Sequence, residues 1–163
     1  MEKYQELLKR KGADLTILID AKSVVTAAWT RYKCKFGCNS YGKNHCCPPN
    51  TPTYKETREI IDCFSRAILF RTHNIEKVTP MAVEVARELF LDGYYKAIAF
   101  GAGDCQKCKV CNVQHCNFPK ETVPSMEACG IDVFETVRNN GLEISTLRDR
   151  DEIPNFFGLI LVD

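Results

Sequence analysis

Two short stretches hold most of the cysteines, and they constrain the fold more than any other feature of the chain. Residues 34–49 read CKFGCNSYGKNHCCPP, and residues 105–116 read CQKCKVCNVQHC. Together they contain eight of the ten cysteines. Thiols this dense predict metal ligands, disulfides or a redox dithiol. The fold therefore has to wrap each stretch around a site.

Length and charge limit the number of domains and the classes of partner. The 163 residues predict a single α/β metal-binding domain, residues 1–163, which can bury a core without disulfides. The 22 basic residues nearly balance the 21 acidic ones, so net charge favours neither nucleic acid nor a membrane surface. The N-terminal MEKYQELLKRKG lacks the apolar core of a secretory signal. We therefore expect a cytoplasmic protein whose thiols stay reduced and serve as ligands.

Apolar periodicity alternates between strand and helix along the chain. It predicts an α/β layered fold with a central mixed sheet flanked by helices and with metal clusters on the connecting loops. The predicted strands are residues 15–20, 23–29, 66–72, 94–103, 142–147 and 156–163. The predicted helices are residues 4–11, a helix from a capping box at Thr53, one N-capped by Thr79, a turn over 124–130 and a helix from Asp132 to near Gly141.

The second stretch has the spacing of an iron–sulfur loop. Cys105, Cys108 and Cys111 form C-x2-C-x2-C, which lets one loop place a thiolate on three irons of a cubane, as in bacterial ferredoxins. Four residues separate Cys111 from Cys116, one more than the ferredoxin pattern has before its fourth cysteine. Cys116 therefore either completes this cluster or binds a neighbouring one. Zinc is the alternative, because one C-x2-C suits half of a zinc site. The additional cysteines disfavour a thioredoxin-like dithiol.

The first stretch indicates a second metal site. Cys34 and Cys38 are spaced C-x3-C, and Cys47 precedes two prolines that stiffen the chain. Tyr41 stands where the radical-initiating C-x3-C-x2-C pattern needs its third cysteine, which argues against radical S-adenosylmethionine chemistry. We favour the three cysteines as ligands. The fourth ligand stays open between four candidates: Cys46, Cys63, Cys129 and a ligand that is not protein.

Basic residues surround both stretches. Residues 31–45 contain four bases and residues 105–120 contain three lysines, and neither segment contains an acid. These cations either compensate the negative charge of a cluster or form a docking face. The corresponding partner is an acidic redox protein, such as a ferredoxin or a larger oxidoreductase. No membrane partner is expected, and nucleic acid is disfavoured.

Three longer segments resemble a known family. They are YKCKFGCNSYGKNHCCPPNTPTYKETREII, LFLDGYYKAIAFGAGDCQKCKVCN and PSMEACGIDVFETVRNNGLEI. Together they resemble the uncharacterised prokaryotic family of predicted metal-binding proteins, a cysteine-rich domain of unknown function, from about Trp29 to Leu147. The resemblance supplies no reaction, and Cys46, Cys63 and Cys129 look like additions of this sequence. It implies seven metal ligands: Cys34, Cys38, Cys47, Cys105, Cys108, Cys111 and Cys116.

Three functions fit these observations. The first is a cytosolic iron–sulfur protein with one or two [4Fe–4S] clusters that transfers electrons to or from a larger redox enzyme. The second is an enzyme, or a sulfur- or metal-delivery factor, that uses a cluster with an open iron. The third is an interaction module stabilised by zinc. Whether the protein is an enzyme is left open by the sequence.

Overall fold

A central four-stranded sheet organises the protein, whose computed structural model describes all 163 residues. The predicted α/β layered class is confirmed. The strand order is β1-β2-β4-β3. The strands are β1 (Leu15–Asp20), β2 (Arg66–Thr72), β3 (Ile98–Phe100) and β4 (Phe156–Leu161).

Every strand pair in the sheet is antiparallel, whereas the sequence predicted a mixed sheet. The position of β4 explains why no parallel pair forms. β2 and β3 run in the same direction and are joined through a helix, as in a β-α-β unit. β4 lies between them and pairs with both, so the two parallel strands are never neighbours.

Five α-helices flank the sheet. None has the length and apolarity that a membrane-spanning helix needs. A short 3-10 turn, Glu127–Cys129, precedes the last helix. The helices are α1 (Glu2–Lys11), α2 (Trp29–Gly37), α3 (Tyr54–Asp62), α4 (Ile75–Leu91) and α5 (Val133–Asn139).

Helix starts follow local capping signals, with one correction. α3 begins at the predicted capping box, in which Thr53 and Glu56 bond each other's backbone N–H. α4 does not begin at Thr79. Its N-cap is Asn74, whose side chain accepts the N–H of Glu76, so Pro80 lies inside the helix. The asparagine cap and the acidic first turn outweigh the preference of proline for the first helical position.

Two predicted strands do not form. Within residues 23–29, only Thr26 makes an isolated bridge, to Ile131, and Trp29 already begins α2. Residues 142–147 pair with no strand of the sheet. Leu142 and Ile144 pack against the core instead. The predicted strand 94–103 shortens to β3.

Both faces of the sheet are buried. Leu69 and Leu159 face a core that includes residues of α3 and α5. Ile68 and Ile160, one position along, face a second core that includes residues of α1 and α4. This alternation follows from the two-residue period of a strand. The cysteine stretches lie outside both cores, one before α3 and one after β3.

Candidate metal centre

Helix α2 presents the first two cysteines of what we call the first group, which consists of Cys34, Cys38 and Cys47. Cys34 lies on α2 and Cys38 caps its C-terminus, so this part of the stretch is helical and not a connecting loop as predicted. Residues four apart lie on one side of a helix. Cys47 follows later in the chain and lines the same groove as Cys34 and Cys38.

The thiol of Cys47 is held away from water. Burial, followed by the nearby Asp104 and Cys38, raises the pKa of Cys47 to about 12. Burial also raises the pKa of Cys34. Metal binding at these thiols therefore has to displace protons.

The second group consists of five thiols that line one small enclosed space: Cys46, Cys105, Cys108, Cys111 and Cys116. Two backbone N–H groups point at its sulfurs. His45 donates to Sγ of Cys111 at 3.3 Å, and Phe118 donates to Sγ of Cys116 at 3.4 Å. Hydrogen bonds of this kind stabilise negative charge on sulfur and tune iron–sulfur centres.

The two neighbouring cysteines of CCPP face different groups. Cys47 lines the groove of the first group, whereas Cys46 lines the space of the second. Burial raises the pKa of Cys46. A hydrogen bond between Cys46 and Thr122 lowers this pKa, and the nearby thiols of Cys105, Cys116 and Cys111 raise it further. The sequence offered Cys46 as a ligand of the first site. The structure places it with the second group.

Polar contacts tie the two stretches together. Nδ2 of the buried Asn44 donates to the Cys105 carbonyl at 2.8 Å, while its Oδ1 accepts the N–H of Cys46 at 2.9 Å. The Ser40 hydroxyl bonds Asp104 at 2.6 Å. The link from Asn44 to Cys105 had no sequence signal, because these two residues lie 61 positions apart along the chain.

His45 links the same loops. Its Nδ1 lies 2.8 Å from the Val113 carbonyl, and the residue lines the same small space as the second group of thiols.

The remaining two cysteines lie in neither group. Cys129 is fully buried in the core beside α3 and α5, and burial raises its pKa to about 12. It packs as a small core residue. Cys63 ends α3, is exposed, and bonds the Glu59 carbonyl through its thiol at 3.4 Å.

All ten cysteines are unpaired thiols, so the two groups are not disulfide networks. No three Cys, His, Asp or Glu side chains converge closely enough to hold a single metal ion. The thiols of each group instead line one shared pocket.

The outer face of α2 carries exposed aromatic side chains. Trp29, Tyr32 and Phe36 are 45%, 68% and 67% exposed, and the rings of Tyr32 and Phe36 lie 4.7 Å apart. Lys33 lies over the Trp29 ring and Lys35 over the Phe36 ring. We call these five residues the α2 face.

The family model of the predicted metal-binding proteins, DUF2284, matches residues 17–162. The chain belongs to the DUF2284 family. The match includes both cysteine groups and confirms the resemblance that the sequence suggested. Metal binding by this DUF2284 protein is therefore supported at the level of the family, whose description names neither the metal nor a reaction. No curated protein and no solved structure is detectably similar to the chain.

Proposed function

We propose that this DUF2284 protein binds two [4Fe–4S] clusters and transfers electrons between a redox partner and a ligand groove. One observation carries the proposal: eight thiols form two adjacent groups, with Cys46 and Cys47 facing opposite ones. Bound clusters would supply one-electron redox chemistry. The chain would supply the thiolates, the N–H donors to sulfur and the surrounding cations.

At the second group, Cys105, Cys108 and Cys111 would hold three irons of a cluster, and either Cys46 or Cys116 would hold the fourth, since all five thiols line the same space. We assign the fourth iron to Cys46, because this residue is 5% exposed and its N–H is fixed by Asn44. In ferredoxin loops the fourth cysteine of the run likewise does not serve the cluster of the first three. Cys116 is then a fifth thiol at the rim.

The first group supports the second hypothesis, a cluster with an open iron. It contains three thiols, and both Cys63 and Cys129 lie outside it. The groove that these three thiols line has a volume of about 750 Å³, within the range of small-molecule sites. A three-thiolate cluster at its edge would present its fourth iron to a ligand.

Zinc fits the same residues less well. A structural zinc ion takes four ligands, each about 2.0–2.3 Å from one point. The structure contains no converging set of even three such side chains, while five thiols surround one space. The zinc-stabilised interaction module is therefore the less favoured function.

The α2 face is the proposed docking surface for the electron-transfer partner. It combines exposed rings with lysines, and an exposed apolar patch of this kind marks an interaction site. Cys34 and Cys38 lie on the same short helix, so a partner here is within about one helix diameter, 10 Å, of the first group. The charge of the lysines selects an acidic redox protein.

Electron paramagnetic resonance of the reduced protein tests the two-cluster proposal. The Cα atoms of Cys46 and Cys47 are about 3.8 Å apart, as across any trans peptide, so two bound clusters would be close neighbours. Stepwise anaerobic reduction is expected to give one signal that broadens or splits as the second cluster becomes reduced. Two signals that add without interaction would contradict the bridging role of the CCPP segment.

A further inference from the structure

Thr122 is the one side chain that forms a hydrogen bond with a thiol of either cysteine group. Its hydroxyl oxygen lies 3.5 Å from Sγ of Cys46 and has no other hydrogen-bond partner. The other two donors to the second group are the backbone N–H groups of His45 and Phe118. No sulfur of the first group has a hydrogen-bond partner. The contact with the Thr122 hydroxyl is therefore a feature of the second group alone.

The segment that contains Thr122 is anchored close to the second cysteine stretch. The preceding residue, Glu121, forms an ion pair at 2.6 Å with Lys107, which belongs to that stretch. Two residues after Thr122, the carbonyl of Pro124 accepts the N–H of Gly101 at 2.9 Å, just beyond the end of β3. These two contacts hold the hydroxyl in a fixed position relative to the thiols.

Cys46 lies between two cavities. It lines the space that the five thiols of the second group share, and it also lines a separate cleft of about 250 Å³ together with Thr122. Thr122 does not line the five-thiol space, so its hydroxyl approaches the sulfur from the cleft. The sulfur is thus able to bind iron on one side and keep its hydrogen bond on the other. A metal-bound thiolate has no proton, so the hydroxyl is then the donor.

We propose that Thr122 is a positioning residue that acts through Cys46 and raises the reduction potential of the cluster at the second group. The inference rests on the proposed function, because it requires Cys46 to bind an iron of that cluster. Reduction adds negative charge to a cluster, and a hydrogen bond to a ligand sulfur stabilises that charge. Because Cys46 is 5% exposed, the hydrogen bond is electrostatically stronger than it would be in water. The first group has no such donor, so its cluster should not respond to changes at Thr122.

An anaerobic redox titration followed by electron paramagnetic resonance tests this inference. Thr122→Val keeps the shape of the side chain and removes the donor, so one of the two reduction steps is expected to shift to lower potential. At the potential where the wild-type cluster is half reduced, its ratio of reduced to oxidised form should fall about threefold to tenfold, the factor that corresponds to one hydrogen bond. Thr122→Ser, which keeps the hydroxyl, should retain the wild-type potential. Thr57→Val is the control and should shift neither step, because it removes a buried hydroxyl of α3 that has no hydrogen-bond partner.

Iron and sulfide are measured on the same samples, so the two proposals fail separately. Full iron and sulfide in Thr122→Val, with neither reduction step shifted, would overturn the role of Thr122 and leave the clusters standing. An equal shift in Thr122→Val and Thr122→Ser would also overturn it, because the hydroxyl would then not be the cause. Wild-type protein without iron and sulfide would overturn the proposed function and this inference together.

Discussion

Asn44 shows how a single side chain organises the site. Its amide holds the Cys46 N–H on one side and the Cys105 carbonyl on the other, and it is 7% exposed. An amide has both a donor and an acceptor, so it satisfies both backbones at once. The position of Cys46 relative to the second stretch is therefore fixed by the scaffold and does not depend on the exposed loop that carries Cys116.

Alanine replacements at Cys46 and Cys116 discriminate between the two candidates for the fourth ligand of the second cluster. Cys46→Ala is expected to lower the iron and sulfide content by up to about half, because the second cluster loses its buried fourth ligand while the first group keeps all three of its thiols. Cys116→Ala should retain nearly all of both. The iron and acid-labile sulfide content of each variant is measured on protein isolated anaerobically.

Cys63→Ala is the control, because its thiol lies outside both groups and is exposed. Full metal content in Cys46→Ala together with a loss in Cys116→Ala would reverse the assignment.

At the scale of elements, the 3-10 turn Glu127–Cys129 is fixed by the glycine that ends it. Gly130 has φ +84°, and a Cβ there would lie 2.6 Å from Cα of Tyr54, the first residue of α3. The turn and α3 thus approach more closely than any side chain allows. Because Glu127 is on this turn, the contact also positions one end of the groove.

Gly130→Ala is therefore expected to lower the free energy of unfolding by about 3 kcal/mol, from left-handed backbone strain plus steric overlap. Gly141→Ala is the matched control. Gly141 has φ +73°, but nothing lies within 4 Å of the added Cβ. Its replacement by alanine should therefore lower the free energy of unfolding by only about 1 kcal/mol. Urea unfolding followed by circular dichroism compares them. If both variants lost the same free energy of unfolding, steric overlap with α3 would not contribute to the effect of Gly130→Ala.

The elements also show what the sequence determines. α3 and β2 were predictable because a capping box and a short apolar run are local signals. Residues 142–147 also carry a strand pattern, but Leu142 and Ile144 pack against the core without pairing. The choice between packing and pairing depends on tertiary contacts, which the sequence does not reveal. The same holds for the site. The spacing of the cysteines predicted two sets of thiols, whereas the assignment of Cys46 to the second depended on tertiary contacts through Asn44.

Charge reversal on the α2 face tests the docking proposal. Lys33→Glu combined with Lys35→Glu should slow electron transfer from a reduced acidic ferredoxin at least tenfold at low salt, and the difference should shrink as ionic strength rises. Stopped-flow absorbance measures the rate. Lys9→Glu, on α1, is the control. A rate unaffected by the double change would place the docking surface elsewhere.

For the molecule as a whole, the sheet and its two cores form a scaffold that is complete without the cysteine stretches. The cores contain residues from all four strands and from α1, α3, α4 and α5, but only one of the ten cysteines, Cys129. The thiols are gathered instead where the first stretch meets the loop after β3. This separation of scaffold and site is typical of proteins whose loops carry the function.

Metal and sulfide analysis of anaerobically isolated protein tests the central claim most directly. Two cubanes predict roughly eight irons and eight acid-labile sulfides per chain, four of each per cluster, with little zinc. One or two equivalents of zinc per chain, without sulfide, would contradict the assignment of the two thiol groups to iron–sulfur clusters.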